Sequence, residues 1–426
     1  MQSVVPRPRA AAAVRALALL AAPALLAVLA VLAPRAARAS TDEFAAFDVV
    51  RPEENDESAL DHLLARPPEG WRAEWERSPL AFRTSQGCFT SGQWYVHDQL
   101  RLATAAGRRA RFALELDRVE SDLLTYQHLD LWLLFPQRAG VLGVMFRPYY
   151  DKSRQDFALR WELGADTTRH QLRLTYGLED LFNNLWVWRQ TRVGESGQPY
   201  ERHPWEPAVK AALRRQRWRA EAEGRWLTLA RKRLDATATE PARVQTLWGT
   251  WAAADVEARA LGATWLGRTE NRQARSTDRP EPEEAGDGRC TRRLWRTELG
   301  VRRAARRDVS VEARWIYMDR MQSERAPLPA TSFHAVDRVL QLEACWAPRP
   351  GLALRAGGLF DRVTVDRDGA AGPAHGGRNE SRAYVGLALR FGRVSVAGAE
   401  GVELDPERYE VWNHHDKGFL QMQAVF

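Results

Sequence analysis

Cysteine is scarce in this chain, which has 426 residues and only three cysteines, at positions 88, 290 and 345. Three are too few for a disulfide-bonded scaffold, and no C-x-x-C pair suggests zinc or thioredoxin-like chemistry. The absence of C-x-x-C-H also excludes covalent attachment of c-type haem by the chain itself. Adjacent His414 and His415 point to opposite faces of an extended chain, a poor arrangement for chelating one ion. We therefore predict no metal site and no cofactor.

Long apolar runs are absent beyond residue 40, which excludes a helical membrane protein for the mature chain. One such run comes earlier, as an uncharged stretch over residues 16–33. It is preceded by three positive charges, those of Arg7, Arg9 and Arg15. The sequence Ala37-Arg38-Ala39 supplies small residues for cleavage after Ala39. We predict that residues 1–39 are a signal peptide. A retained anchor is the alternative, and the A-x-A site argues against it.

Residues 40–78 lack the alternation found in the rest of the chain. Their Asp and Glu residues cluster ahead of Pro67-Pro68. Such a composition does not bury enough apolar surface to fold alone. We predict an acidic periplasmic N-terminal segment over residues 40–78, followed by one domain over 79–426.

The net charge of +7 comes from arginines that are scattered among Asp and Glu. A nucleic-acid-binding surface would need a concentrated basic patch or a recognisable motif, and the chain has neither. We therefore predict no nucleic-acid partner.

Alternation of apolar and charged residues dominates from about residue 80 onward. In one stretch Leu159 and Trp161 point one way, whereas Arg160 and Glu162 point the other. A soluble sandwich or a membrane barrel would both explain this pattern. The segments of about 10–13 residues favour the barrel, because a tilted strand needs about 9–11 residues to cross a bilayer. The sequence predicts an all-β, transmembrane, antiparallel up-and-down β-barrel.

Short and long connections alternate along this region. Short ones fall near residues 106–108, 136–140, 304–307, 348–351 and 392–393, and long polar ones near 183–204, 269–291, 320–333, 366–380 and 403–417. Such barrels have short periplasmic turns, long external loops and an even strand number. We predict about 18 strands, with 16 as the alternative. Residues 205–233 fit either a hairpin or a helix, and local alternation favours the hairpin.

The C-terminal sequence from Gly418 to Phe426 resembles the terminal strand of bacterial outer-membrane barrel proteins. Its apolar residues alternate and it ends in phenylalanine, as in that class: Leu420, Met422, Ala424 and Phe426. The resemblance implies location in the bacterial outer membrane, recognition of this segment by the barrel-assembly machinery, and pairing of the last strand with the first. It also implies contact with outer-membrane lipid and lipopolysaccharide.

The charged side of the alternating segments is the candidate functional surface. An arginine facing lipid at the bilayer midplane would cost roughly 2–4 kcal/mol, so these residues are predicted to face the lumen. The predicted pore-lining residues are Arg111, Glu115, Asp117, Arg160, Glu162, Arg173, Glu179, Arg296, Glu298, Arg302, Glu312, Arg314, Arg382 and Arg390. Their charges either hydrate a pore or neutralise one another.

Two further predictions concern chemistry. Cys88 and Cys290 both fall in predicted external loops, in an oxidising compartment. They either form a disulfide with each other or remain two separate thiols, and the sequence favours neither alternative. Serines at positions 310, 381 and 395 have no convincing His and acid neighbours, so we predict that the chain is not an enzyme.

The leading functional hypothesis is a porin-like channel for passive diffusion of small hydrophilic solutes, mildly preferring anions. The alternative is a structural barrel that surrounds or partners another protein, as in a porin–cytochrome conduit or an export complex. The expected partners are thus polar solutes and, in the alternative, a protein in the lumen or periplasm.

Overall fold

The computed structural model describes thirteen stretches of the chain. These are residues 78–88, 94–105, 109–121, 125–147, 155–164, 170–179, 200–202, 205–234, 242–281, 288–325, 331–368, 372–404 and 417–426. The predicted signal peptide, most of the acidic segment and His414–Asp416 lie outside these residues.

Strands and the tight turns between them make up the described chain. In chain order they are β1 Leu80–Cys88, β2 Trp94–Ala105, β3 Arg111–Ser121, β4 Thr125–Gln137, β5 Gly140–Phe146, β6 Gln155–Leu163, β7 His170–Glu179, β8 Tyr200–Arg202, β9 Trp205–Arg214, β10 Trp218–Leu234, β11 Ala242–Ala260, β12 Ala263–Glu281, β13 Gly288–Ala304, β14 Val309–Arg325, β15 Thr331–Arg349, β16 Leu352–Asp368, β17 Ala374–Phe391, β18 Val394–Glu403 and β19 Lys417–Val425.

The strands form one closed antiparallel sheet. Each strand pairs with its neighbours along the chain, and β1 pairs with β19 through the register Ala81 to Val425. The short β8 and the longer β9 both run antiparallel to β10 and are two residues apart, so they count as one strand. The barrel thus has 18 strands, which confirms the predicted fold and the preferred strand number.

Residues 205–233 form the β9–β10 hairpin. Arg214 pairs with Arg219, and the ladder continues to Ala208 with Arg225. This confirms the hairpin over the helix suggested by residue propensity. The reason is that a helix here would leave the edges of β7 and β11 unpaired in the wall, and closure of the sheet removes both edges.

Three of the predicted long loops are largely strand. Residues 269–281 extend β12, 320–325 extend β14, and 374–380 begin β17. The sequence prediction was wrong here because it took loss of the apolar face as the end of a strand. A ladder that continues beyond the hydrocarbon layer needs no apolar face, since water can wet both of its sides.

Among the connections that the structure describes, tight turns join the strands at the end of the barrel where both β1 begins and β19 ends. Leu261 and Gly262 link β11 to β12, both with positive φ, of 55° and 71°. Two positive φ values in a two-residue connection give the turn twist that matches a right-handed strand pair. We call this the turn end, and the opposite end the loop end. No helix among the described residues is long and apolar enough to span a membrane.

Candidate functional site

The register assigns every strand residue to one of two faces. Directly paired residues share a face, and the face alternates along each strand. Glu162 pairs with Arg173, which pairs with Lys210, which in turn pairs with Glu223. The same face can be followed strand by strand around the whole wall back to β1.

All fourteen predicted pore-lining positions lie on this one face, which is the concave inner face. The register places them there through pairs such as Glu115 with Asp130, Arg268 with Glu298, and Arg302 with Glu312. The side chains of Asp117 and Glu179 are outside the described part of the chain.

Large apolar side chains occupy the opposite, outer face. They are exposed around the whole circumference, for example Leu159, Trp315 and Leu387, each 42–44% exposed. Exposure of this extent would aggregate a protein in water, because contiguous apolar patches on soluble proteins are small. In a membrane the same side chains contact hydrocarbon. The apolar band is therefore the lipid-facing surface of the barrel.

Ion pairs organise the inner face of β13 and β14. Arg314 Nη1 lies 3.1 Å from Glu298 Oε1, and Arg302 Nε lies 2.5 Å from Glu312 Oε2. Arg314 also contacts Glu312. A buried guanidinium is tolerated where carboxylates on the same and the next strand neutralise it. Arg296 Nη2 lies 3.6 Å from Glu298 Oε2, so five of the predicted residues form one network.

A second network occupies β6 and β7. Glu162 accepts hydrogen bonds from Gln171 Nε2 at 2.5 Å and from Arg173 Nε at 3.1 Å. Arg160 Nε lies 4.0 Å from the same carboxylate and its guanidinium lies over the ring of Trp132, 4.1 Å from the centroid. Of the predicted residues, Arg160, Glu162 and Arg173 are brought together.

The sequence analysis missed the inner-face charges of Arg147, Lys210, Arg320 and Asp337. Arg147 makes a bidentate pair with Asp130, at 2.6 and 3.0 Å, and Arg320 Nη2 lies 2.9 Å from Asp337 Oδ2. Lys210 Nζ lies 2.6 Å from Glu221 Oε1. The same alternation that identified the predicted set would have identified these residues. The sequence analysis missed them because it assigned strands that are shorter than those in the structure.

The inner face is not charged throughout. Ile316, Val339 and Leu359 occupy inner positions on β14, β15 and β16 and expose no surface to solvent. Tyr384 lies beside them, accepting a hydrogen bond from Gln341 Nε2 at 2.9 Å and donating one to Glu343 at 2.8 Å. One sector of the wall, from β13 to β17, therefore carries an apolar cluster that alternation alone did not predict.

The barrel topology does not support a disulfide between Cys88 and Cys290. Cys88 ends β1 and Cys290 lies near the start of β13, seven strand steps away through β14 to β19. Strands lie about 4.8 Å apart, and a disulfide spans a Cα separation of only about 4.4–6.8 Å. Sequence reasoning placed both residues in external loops, where this constraint was hidden.

The terminal strand lies where its resemblance implied. Residues 420, 422 and 424 pair with Gln86, Thr84 and Phe82 of β1, and the backbone N–H of Phe426 donates to the Leu80 carbonyl oxygen at 2.8 Å. Leu420, Met422 and Phe426 are 39–48% exposed on the outer face. Recognition of this strand by an assembly machinery stays a prediction.

Comparisons with known proteins give similarity in structure alone. No protein-family model matches the chain, and no characterised protein matches it in sequence. A loop-deletion mutant of OmpT, an outer membrane protein of Vibrio cholerae, aligns at 10% identity and TM-score 0.35, covering 82% of this chain and 97% of that one. OccK10 of Pseudomonas aeruginosa aligns at 12% identity and TM-score 0.36, covering 82% and 97%. CdiB from Acinetobacter baumannii aligns at 10% identity and TM-score 0.40, and the alignment covers 82% of this chain and 60% of that chain. The closed wall of paired strands and the apolar band around it are those of a bacterial outer-membrane β-barrel.

Proposed function

We propose that the chain is an outer-membrane channel through which small hydrophilic solutes diffuse passively. The observation that carries the proposal is the inner face of the 18-stranded wall, which carries charged side chains on most of its strands. Barrels of eight strands are filled by side chains, whereas 16–18 strands leave room for water. Charged groups facing that space keep it wet and allow polar solutes to enter.

A mild preference for anions is part of the proposal. The predicted lining set has eight arginines and six carboxylates. Most described carboxylates in the set lie in ion pairs, whereas Arg111 and Arg390 are exposed on the inner face near the turn end. Neither lies within 4.0 Å of a carboxylate in the described residues. Paired charges cancel at a distance, so the two exposed arginines dominate the local field.

The test is conductance of the purified protein in planar lipid bilayers. We expect discrete single-channel steps in potassium chloride, and a reversal potential in a salt gradient that indicates modest chloride selectivity. A folded protein that inserts but gives no steps contradicts the channel. Steps with potassium selectivity retain the channel and overturn the anion preference.

A second candidate is a barrel whose lumen is occupied by a protein. The apolar cluster of Ile316, Val339 and Leu359 keeps this candidate in view, because the barrel's own side chains cover it and part of the inner face is therefore not a wet, charged lining. This candidate predicts a barrel that does not conduct until a co-purifying protein is removed. The same bilayer recording, made before and after denaturing purification and refolding, separates the two candidates.

A further inference from the structure

The charge of the inner face is uneven along the barrel axis. Among the four residues nearest the turn end of each strand, the inner face carries ten arginines, one on each of β1, β3, β6, β7, β9, β10, β11, β13, β16 and β17. It carries only four carboxylates there, those of Glu162, Glu221, Glu257 and Glu312. An excess of six positive charges therefore remains even if each carboxylate neutralises one arginine. Deeper in the barrel the described inner face is nearly balanced, with twelve arginine and lysine side chains and ten carboxylates.

Four of these ten arginines are exposed at the turn-end opening of the lumen. They are Arg111, Arg259, Arg355 and Arg390, on β3, β11, β16 and β17, and we call them the mouth ring. One carboxylate here serves two arginines, since Glu257 lies 4.0 Å from Arg259 and 3.6 Å from Arg219. Charges of one sign inside a low-dielectric wall focus the field in the opening that they surround. The mouth ring therefore attracts anionic groups.

The chain enters the barrel on the lumen side of this opening. Ser78, the first described residue, is buried, and its carbonyl oxygen accepts a hydrogen bond from Arg101 Nη1 at 2.6 Å. Arg101 belongs to the inner face, because it pairs directly with Glu115 and its Nε lies 2.9 Å from the Glu115 carboxylate. The residues that precede Ser78 thus begin beside the inner arginines rather than outside the wall.

The segment that leads to Ser78 carries the opposite charge. Residues 42–61, which lie outside the described residues, contain eight carboxylates and one arginine, a net charge of −7. Sixteen residues, 62–77, connect them to Ser78 and can span up to roughly 50 Å at about 3.3 Å each. A wall of 18 strands about 4.8 Å apart, tilted by about 40°, encloses a ring roughly 35 Å across. Every arginine of the mouth ring is therefore within reach.

We propose that the acidic segment, residues 42–61, binds the mouth ring inside the turn-end opening of its own barrel. Its net charge of −7 nearly matches the excess of six positive charges on the inner face at that end. Guanidinium groups bind carboxylates through paired N–H donors, so the segment needs no fixed fold to bind. This binding does not depend on whether the lumen conducts. In a conducting barrel the bound segment compensates the mouth ring, so its removal strengthens the anion preference.

The test is a disulfide cross-link in the full chain, after its three native cysteines have been replaced by serine. Ser58→Cys places one thiol in the acidic segment, and Ser310→Cys places the other on the inner face of β14, at the turn end. Mild oxidation at low salt should join the two thiols within one molecule, detected by intact mass. The yield should fall severalfold in 1 M sodium chloride, where the screening length is about 3 Å. No cross-link at low salt, or cross-links only between molecules, overturns the proposal.

A second thiol position tests which side of the wall the segment occupies. Val311→Cys, combined with Ser58→Cys, places the thiol one residue further along β14, on the outer face. The two positions lie at nearly the same height on opposite sides of the wall. We expect the inner position to cross-link and the outer one not to. Equal yields at the two positions overturn the proposal.

Charge substitutions then locate the binding site. In the Ser58→Cys/Ser310→Cys chain, Arg259→Gln/Arg355→Gln/Arg390→Gln removes three arginines of the mouth ring and should lower the cross-linking rate about tenfold, the effect of losing three exposed ion pairs. The matched control is Arg303→Gln/Arg306→Gln/Arg307→Gln, which removes three exposed arginines of the β13–β14 hairpin at the same end and should leave the rate unchanged.

Folding of each variant is checked by its mobility in unheated gels. An unchanged rate in the mouth-ring variant, or an equal loss in the control, overturns the proposal. Should the mouth-ring variant not fold, the comparison of Ser310→Cys with Val311→Cys in the barrel with all its arginines decides. Because no conductance is measured, failure here is distinct from failure of the channel.

Discussion

At the scale of single residues, Gly357 shows how the inner wall depends on the absence of one side chain. A Cβ built at this position would lie 2.5 Å from the Leu342 carbonyl oxygen and 2.6 Å from the Tyr384 hydroxyl. Gly357 stands between Glu343 and Tyr384 in the ladder. The glycine therefore lets the tyrosine lie across β16 and reach Glu343 on β15.

We expect Gly357→Ala to lower the free energy of unfolding by about 1–3 kcal/mol, as overpacking against backbone usually does. The measurement is urea unfolding of the barrel refolded in lipid vesicles. Gly267→Ala is the matched control, because its Cβ would meet nothing within 4 Å. It should be neutral or raise stability by about 0.5 kcal/mol. Equal effects of the two substitutions would mean that Tyr384 has room to move aside.

At the scale of elements, the β1–β19 pair closes the barrel and carries the terminal phenylalanine. Seven residue pairs from Ala81–Val425 to Gly87–Phe419 join the two strands. The Phe426 side chain adds nothing to these backbone hydrogen bonds, since it is 45% exposed on the outer face. Its value to the protein is thus predicted to lie in recognition during assembly rather than in stability.

Phe426→Ala should therefore reduce the amount of folded barrel in the outer membrane of cells severely. In contrast, the free energy of unfolding of the barrel refolded in vitro should fall by only about 1 kcal/mol, which is the contribution expected from burying part of an apolar side chain. Phe391→Ala, at an exposed outer position before a tight turn, is the control. If both substitutions lower the cellular level alike, the terminal residue has no special part in assembly.

At the scale of the whole molecule, the sum of inner charges is expected to set the ion preference. Arg111→Gln/Arg390→Gln removes the two exposed inner arginines described above. We expect the reversal potential in a salt gradient to shift towards that of a cation-selective channel, with little change in conductance. The shift should shrink at 1 M salt, where the screening length is about 3 Å.

Arg303→Gln serves as the control, because Arg303 is exposed on the outer face at the same end of the barrel. It changes the net charge without changing the charge of the lumen. A shift of equal size in this variant would assign the preference to the protein's overall charge.

The sequence by itself determined the two faces of the wall. Alternation assigned Arg160, Glu162 and Leu159 to the correct sides because side-chain direction in a strand depends only on position parity. Closure followed from the resemblance of the terminal strand, which implies that the last strand pairs with the first, as β19 does with β1.

Tertiary structure decided everything that depends on which strand lies beside which. The disulfide between Cys88 and Cys290, one of two equal alternatives from the sequence, finds no support in the structure because seven strand steps separate the residues, a distance that no local pattern records. The apolar cluster at Ile316, the contact of Tyr384 with Glu343 across Gly357, and the direct opposition of Arg338 and Arg362 likewise arise from register. Register is fixed by cooperative closure of the ring, because moving one strand by one residue would turn all its apolar side chains into the lumen.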